Sequence, residues 1–498
     1  MLFNSYVFIF AFLPISLAGY YTLSMTMGAR SAKGWLILAS IVYYGWWNPA
    51  NVILVSLLML FNFAYGKLLW TTRGNAAQNR FLLVLGVAAN LLVLGYYKYA
   101  NFFVDNLNAC VGTSWHFEKL ILPLGISFFT FQQIAYLVDA SRGIACEGDM
   151  PDYLLFITFF PHSIAGPIVH HTEMMPQFAR HETYRFSWDN MAVGLTLFAF
   201  GLGKKVIIAD LLSGHVSQVF GAAAGGKALY PLDAWAGTLA YTFQLYFDFS
   251  GYSDMALGLA RMFGIVLPLN FDSPYQATSL VDFWRRWHMT LSRLLRDYVY
   301  IPLGGGRRGE FRRYVNLMLT MVLGGLWHGA GWTFIAWGAL HGGCLAANHL
   351  FQAWAPAKRF GWQPPARISR WSGRILTFLV VMIGWVFFRA GNLGDAWQIL
   401  SAMAGAGNVP ALGTPPLLKP KVWIWLAGVL ALVWGCPNAA RIMRDVRPAM
   451  LPYRTTWPER KGGIEWRISP FWVGVTAVLL TGSILCLSRA GEFLYYNF

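Results

Sequence analysis

The chain has 498 residues, of which 56% are hydrophobic and only 12% charged, and its mean hydropathy is +0.46. That leaves too little polar surface to cover a water-soluble globule of this size, so lipid must be the solvent. The formal net charge of +16 does not indicate nucleic acid, because Lys and Arg occur mostly in short loops between apolar stretches, where cytoplasmic orientation signals belong. We therefore expect membrane lipid, and no nucleic acid, as a partner.

Apolar stretches recur along the whole chain and are long enough to predict an all-α, polytopic membrane bundle of 11 to 13 segments, since about 20 residues cross a bilayer. They lie at 3–25, 34–47, 51–70, 81–97, 117–138, 152–169, 190–209, 232–263, 314–335, 336–353, 373–388, 421–436 and 470–488. Pro123, Pro161 and Pro167 interrupt two of them, which predicts re-entrant segments around a buried cavity. The first stretch lacks secretory-signal features and is interpreted as a retained span. No internal repeat is present, so we expect one domain over 1–498.

Segment 281–313 differs in kind from the apolar stretches. It is aromatic and amphipathic, and it carries the eight arginines Arg285, Arg286, Arg293, Arg296, Arg307, Arg308, Arg312 and Arg313. This pattern predicts an interfacial helix on the cytoplasmic side. The turn 304–308, Gly-Gly-Gly-Arg-Arg, could bind the phosphates of a nucleotide-like donor through backbone N–H groups and guanidinium forks, although a basic loop beside lipid headgroups has the same composition.

Three histidines are candidates for proton transfer. His328 lies in a long apolar run with no Asp, Glu, Lys or Arg between Arg313 and Lys358. Ionisable groups inside membrane segments are functional candidates by default, and an imidazole of pKa ~6.5 can act as a general base on a hydroxyl. A buried histidine bonded to a backbone carbonyl would give the same pattern. His288 is a second candidate. His341 is a weaker one: 13 residues after His328, it would fall on another face if the helix were unbroken, but Gly329, Gly331 and Gly338 make an unbroken helix unsafe to assume.

A polar stripe is expected on the helix around residue 248. Gln244, Asp248 and Tyr252 follow at i, i+4 and i+8. They either line a site or form a buried network, and we favour pairing of the carboxylate with Arg285, Arg286 or Arg296, because a buried charge needs a partner. The sequence contains no P-loop, G-x-S-x-G or HExxH motif, and no metal site is predicted.

Six motifs in the same order resemble the membrane-bound O-acyltransferase family, and most closely its bacterial alginate O-acetyltransferase branch. They are YYKYANFF (96–103), LPLGISFFTFQ (122–132), FFPHSIAGPIV (159–169), QLYFDFSGYSDMALGLA (244–260), DFWRRWHMTLSRLLRDYVYIPLGG (282–305) and GGLWHGAGWTFIAWGALHG (324–342). The core motifs thus span 96–342, whereas 390–498 holds less diagnostic C-terminal spans.

The resemblance implies about eleven spans with re-entrant and interfacial helices around a tunnel, in the inner membrane of a bacterium. It implies that His328 is catalytic and His288 the second functional histidine. It further implies acetyl-CoA as a cytoplasmic donor substrate, with no tightly bound cofactor. The acceptor would be an alginate-like exopolysaccharide or another extracytoplasmic polymer, reached directly or through a periplasmic acetyltransferase partner.

On this basis we assign the donor phosphates to Arg285, Arg286, Arg296 and Arg307. We expect Gln244, Asp248, Tyr252 and Trp327 to line the tunnel. Two other functions remain open at this point: D-alanyl transfer to teichoic acid, and transport or flipping of a lipid-linked sugar, because broken helices with polar centres also describe carriers.

Overall fold

The fold is helical throughout the part of the chain that the structure, a computed structural model, describes. The described residues are 1–115, 122–144, 149–354, 366–408, 410–411, 414–451, 464–489, 491 and 494. They contain no β-strand, which confirms the all-α prediction. The helices are α1 Leu13–Met27, α2 Ala29–Gly45, α3 Pro49–Thr72, α4 Ala76–Val111, α5 Ile126–Ser141, α6 Met150–Thr158, α7 Phe160–Ser163, α8 His171–Phe178, α9 Trp188–Gly203, α10 Asp210–Ala224, α11 Pro231–Met262, α12 Leu280–Trp284, α13 Met289–Leu295, α14 Glu310–His328, α15 Trp332–Trp354, α16 Ala366–Arg389, α17 Leu393–Met403, α18 Lys421–Gly435, α19 Ala439–Ile442 and α20 Pro470–Cys486.

Five helical stretches among the described residues are long and apolar enough to cross a membrane. They are Phe8–Met27, Pro49–Thr72, Ala76–Val111, Trp188–Ala224 and Arg367–Arg389, and two shorter apolar helices, α18 and α20, accompany them. Each of the five coincides with a stretch predicted from the sequence. The predicted total of about eleven spans and the tunnel stay predictions, as does the start of the segment 117–138, whose first residues lie outside the described residues.

The chain divides by its internal contacts into two compact units. Unit 1 comprises Met1–Leu202, Tyr252–Leu269 and Met443–Ser488, and unit 2 comprises Gly203–Gly251, Asn270–Ile442 and Arg489–Phe498. Both units are therefore assembled from distant parts of the sequence. The expected single domain over 1–498 stays a prediction.

Helices of unit 1 are joined by a buried amide network. Asn62 of α3 and Asn90 of α4 exchange two side-chain hydrogen bonds, of 3.0 and 2.8 Å, and Asn62 also donates to Gln133 of α5. Such side chains hold membrane helices together because a polar amide in an apolar bundle has to find its partner on a neighbouring helix.

The predicted helix breaks in unit 1 are confirmed. Gly125 precedes α5 with a left-handed backbone (φ 72°), a conformation that glycine adopts without steric cost. Near Pro161 the chain leaves α6 at Phe159 and restarts as α7, with the proline in the first turn, where its missing N–H is harmless. Whether these segments are re-entrant stays a prediction.

The prediction of one interfacial helix over 281–313 is wrong. In unit 2 this segment forms α12, α13, the π-helical turn Arg296–Tyr300 and a series of turns before α14 begins. The interruption occurs at His288, whose left-handed backbone (φ 41°, ψ 53°) cannot continue a right-handed helix. Phe283, Trp287 and His288 are buried within the protein, whereas Arg285 is exposed.

Candidate active site

His328 ends helix α14 inside an aromatic box of unit 2. Its ring centroid lies 4.8 Å from that of Trp327, 5.3 Å from Trp337 and 5.0 Å from Phe388, and the residue is only 4% exposed. Three aromatic rings therefore surround the imidazole edge to face. The sequence prediction of a buried histidine in an apolar setting is confirmed, and its catalytic role is taken up below.

Glycines set the position of this box by letting α14 and α15 approach closely. A Cβ atom at Gly325 would lie 2.2 Å from the carbonyl oxygen of Phe334, and one at Gly338 would lie 2.4 Å from that of Met321. Both contacts are shorter than any real Cβ tolerates, so only glycine allows this crossing. Gly329 has an extended backbone that ends α14 directly after His328.

His288 is oriented by Asn270. The Nδ1 atom of His288 lies 3.0 Å from Oδ1 of Asn270, and this oxygen also accepts a 2.9 Å hydrogen bond from the hydroxyl of Thr290. Since Asn270 Oδ1 is an acceptor, the hydrogen of the neutral imidazole is on Nδ1 and the lone pair is on Nε2. His288 lies outside the five candidate spans, and its complete burial lowers its pKa to about 3. The ring is thus neutral over the physiological range.

Aromatic rings connect His288 with His328. The indole of Trp327 is 6.2 Å from the His288 ring and 4.8 Å from the His328 ring, measured between centroids. The two histidines that the sequence singled out, 40 residues apart, therefore share one tryptophan. Trp327, predicted as a tunnel residue, belongs to the same cluster.

His341 extends the cluster, and its functional role stays a prediction. Its ring lies 4.8 Å from Trp337, which also contacts His328, and 5.4 Å from Trp284. It is fully buried, and neither ring nitrogen has a hydrogen-bond partner among the described residues. The signal in the sequence was the i, i+4 spacing of Trp337 and His341, which places both on one face of α15. We call His288, His328, His341 and the intervening Trp327 and Trp337 the histidine cluster.

The four arginines assigned to the donor differ in their surroundings. Arg286 pairs with Asp282 and Arg296 with Asp297, each at 2.7 Å, so two of the guanidiniums already have carboxylate partners. Arg285 and Arg307 are exposed and make no ion pair within the described part of the chain. Contact of these residues with a donor stays a prediction.

The prediction that Asp248 pairs with Arg285, Arg286 or Arg296 is wrong. The Oδ1 atom of Asp248 pairs with Lys205 at 2.6 Å and not with an arginine of 285–313, and Lys205 also binds Asp210 at 2.7 Å. All three side chains are almost completely buried in unit 2, and the backbone N–H of Leu494 donates to Oδ2 of Asp248 at 3.0 Å. The signal for this pairing in the sequence was Lys205 within an apolar run, because a cation inside a span needs a partner as much as a carboxylate does.

The residues of the predicted polar stripe on α11 have different surroundings. Gln244 lies in unit 2, buried, with its Oε1 atom lacking a hydrogen-bond partner among the described residues. Tyr252 belongs to unit 1, where its ring stacks on Phe3 at 4.6 Å and its hydroxyl lies 3.5 Å from that of Tyr43. A tunnel lined by these residues stays a prediction.

The fold and the cluster together define a class: a helical membrane protein with buried histidines in an aromatic site. Neutral imidazole is the general base that an apolar interior accepts most readily, because it carries no charge to desolvate before the reaction.

Comparison with known proteins identifies the family. The model of the membrane-bound O-acyltransferase family matches residues 146–389. A probable alginate O-acetylase of Pseudomonas putida is 43% identical over 509 residues, covering 100% of both chains. A peptidoglycan O-acetyltransferase of Helicobacter pylori is 42% identical over 82% of this chain and 81% of the relative. A teichoic acid D-alanyltransferase of Streptococcus thermophilus is 29% identical over 56% and 71%, respectively.

The chain therefore belongs to the membrane-bound O-acyltransferase family. It is an O-acyltransferase, as the sequence motifs predicted, and the proteins most like it among these relatives are named as O-acetylating enzymes.

Proposed function

We propose that this protein moves the acetyl group of acetyl-CoA to a hydroxyl of an extracytoplasmic polysaccharide, or to a partner protein that passes it on. The observation that carries the proposal is the histidine cluster, in which His328 and His288 flank Trp327 in a buried aromatic site. The relatives named for acetylation of alginate and of peptidoglycan support a sugar hydroxyl as the acceptor.

In the proposed step, His328 removes the proton of the acceptor hydroxyl while that oxygen attacks the carbonyl carbon of the thioester. The carbon–sulfur bond breaks and the acceptor keeps the acetyl group as an ester. The proton then passes from His328 to the departing thiolate, so coenzyme A leaves as the free thiol. General-base assistance of this kind is typically worth about 10²–10⁴-fold in rate.

His288 takes a positioning role in this proposal. Its Nδ1–H is held by Asn270, and Nε2 is the atom that can accept a hydrogen bond from a substrate hydroxyl. Because its ring is held by Asn270 with Nε2 left to accept, His288 orients the acceptor in this proposal and leaves proton removal to His328.

The donor would be met on the cytoplasmic side by arginines of 285–313. Arg285 and Arg307 are the better candidates for its phosphates, because Arg286 and Arg296 are already neutralised by Asp282 and Asp297. The enzyme would work in the bacterial inner membrane with its acceptor, or a periplasmic acetyltransferase partner, on the outer side.

A second candidate is D-alanyl transfer to teichoic acid, favoured by the relative of that name. It uses the same attack of a hydroxyl on an activated acyl carbon and differs in the acyl group and its carrier. The family assignment leaves the transporter alternative without support, because family members are acyltransferases.

The test supplies radiolabelled acetyl-CoA to membranes that contain wild type or His328→Ala, with the partner proteins present and expression checked. We expect wild type to label extracytoplasmic polymer and His328→Ala to be slower by about 10²–10⁴-fold. His181→Ala, which removes an exposed histidine of unit 1, is the matched control and should retain full activity. Equal labelling by His328→Ala would remove His328 from the chemistry, and labelling from a D-alanyl donor alone would establish the second candidate.

A further inference from the structure

A cavity of about 860 Å³ in unit 1 is lined by four arginines, Arg180, Arg261, Arg444 and Arg447. It lies between α8, the C-terminal end of α11 and the segment 444–451, and it is made entirely of described residues of one unit. Its volume is in the range of ligand-binding cavities. No residue of the histidine cluster lines it.

The four arginines of this cavity outnumber the two carboxylates of its lining, Glu173 and Asp445. Arg444 is held by Asp445 at 3.5 Å and by Glu465 at 3.4 Å. Arg180, Arg261 and Arg447 make no ion pair within the described part of the chain, although Arg261 is close enough to Asp189 to feel its charge.

Glu173, a carboxylate of the lining, accepts the backbone N–H of His170 at 3.1 Å and so caps α8. One detail of the lining points to a missing anionic partner. The Nε atom of Arg261 is buried and has no hydrogen-bond partner among the described residues. A buried guanidinium nitrogen without an acceptor is costly unless a ligand supplies one.

The walls of the cavity are fixed by hydrogen bonds. The side-chain amide of Gln177 donates to the carbonyl of Val266 and accepts from its N–H, both at 2.9 Å. Met450 N–H donates to Leu267 at 2.9 Å, and Leu269 N–H donates to Met450 at 2.7 Å. The three elements around the cavity are thus tied together before any ligand arrives, which lowers the entropic cost of binding.

Arg447 is held in a strained conformation at the cavity. Its φ of 47° and ψ of 64° place it in the left-handed region, which a non-glycine residue adopts rarely. Strain of this kind is concentrated at ligand-binding positions, where the surrounding structure enforces it. Apolar side chains, among them Val446, Met450 and Leu451, form the rest of the wall.

We infer that the arginine cavity binds a phosphate-bearing amphiphile, whose phosphoryl oxygens are held by Arg180, Arg261 and Arg447 and whose apolar part lies against Met450 and Leu451. Guanidinium forks match phosphoryl geometry, and the apolar wall favours a ligand with a hydrocarbon portion. The same chemistry is offered by an anionic phospholipid headgroup and by a soluble phosphorylated molecule. This site is independent of the proposed acetyl transfer.

The experiment measures binding of two probes to the full-length protein purified in neutral detergent. Phosphatidylglycerol is followed by native mass spectrometry against zwitterionic phosphatidylcholine, and inorganic pyrophosphate is followed by calorimetric titration. We expect wild type to bind at least one probe and Arg261→Gln to weaken binding about tenfold, as the loss of a charge-assisted hydrogen bond predicts. Preference for phosphatidylglycerol identifies a lipid site, and binding of pyrophosphate identifies a soluble ligand.

Three further variants make the test decisive. Arg447→Asn removes the charge with a residue that tolerates the left-handed backbone, and Arg180→Gln alters an exposed side chain that the fold does not require. Both should weaken binding like Arg261→Gln. Arg80→Gln, on an exposed position of α4 outside the cavity, should bind like wild type. Equal binding by all variants, or binding of neither probe to wild type, would overturn the inference.

Discussion

The side-chain amide of Asn270 determines which nitrogen of His288 is available to a substrate. Asn270→Asp would place a carboxylate against Nδ1, and a buried opposite charge raises the pKa of an imidazole. His288 of the variant should therefore become protonated as the pH falls toward the acidic side, and Nε2 would then carry hydrogen and no longer accept. In wild type, with a pKa of about 3, the ring stays neutral over the same range. We expect acetyl transfer by Asn270→Asp to fall between about pH 7 and pH 5 relative to wild type.

The measurement is the pH profile of kcat/KM, because a purely structural defect would lower activity at every pH alike. Thr290→Ser, which keeps a hydroxyl on the same amide oxygen, is the control and should follow the wild-type profile. Parallel profiles for Asn270→Asp and wild type would argue against a neutral, hydrogen-bond-accepting His288.

Single residues were predictable from the sequence where the signal was local. The isolation of His328 in an apolar run was sufficient to single it out, and its burial is confirmed. Asn270 was missed because it is 18 residues from His288 and belongs to no pattern of its own. Lys205 was not predicted as the partner of Asp248, because the eight arginines of segment 281–313 offered a larger group of cations.

At the scale of helices, the contact of α15 with α16 depends on a glycine. A Cβ atom at Gly384 of α16 would lie 2.8 Å from Nε2 of His341. Gly384→Ala should therefore displace the imidazole and destabilise the protein by about 1–3 kcal/mol, the usual cost of overpacking a core. If His341 holds the neighbouring ring of Trp337 in place, acetyl transfer by Gly384→Ala should decrease as well.

A double-mutant cycle separates the two effects. Replacing His341 by Ala in the Gly384→Ala background removes the clash, so the double variant should be more stable than the sum of the single changes predicts. Gly428→Ala, on α18 with open space at its Cβ position, is the control and should leave thermal unfolding unchanged or slightly improved. Strict additivity in the cycle would mean that the glycine and the histidine do not interact.

Helices were predicted well where the length of an apolar stretch determines them. They were predicted poorly where the backbone conformation of a single residue ends them. Among the described residues, the five helical stretches long enough to span a membrane all fall on predicted apolar stretches, since length and apolarity are sequence properties. The segment 281–313 was expected as one helix because its amphipathic pattern continues through His288. The residue type alone does not reveal that His288 adopts a left-handed backbone at this position, where its side chain bonds to Asn270, 18 residues away.

On the scale of the whole molecule, the triad of Lys205, Asp210 and Asp248 connects distant parts of unit 2. Lys205→Met would leave two carboxylates buried without a cation, and removing one partner of a buried pair costs about 3–5 kcal/mol. We expect a clear loss of thermal stability in detergent, measured as a lower Tm, together with poor membrane accumulation.

The triple variant Lys205→Met/Asp210→Asn/Asp248→Asn removes the charges together and should recover much of the lost stability. Lys421→Met, at an exposed lysine that begins α18, controls for loss of a positive charge in general and should not alter Tm. A Lys205→Met protein as stable as wild type would show that the two carboxylates do not depend on this lysine.

The hydrogen bond from Leu494 to Asp248 also has a consequence for biosynthesis. The two residues are 246 positions apart, and at a translation rate of 5–20 residues per second the donor is made roughly 10 to 50 s after the carboxylate. During that interval α11 is already synthesised, and Lys205 is the cation available to Asp248. In a nascent chain stalled before residue 494, the carboxylate of Asp248 therefore lacks this hydrogen bond. That chemical difference distinguishes the stalled chain from the longer one for quality-control proteases.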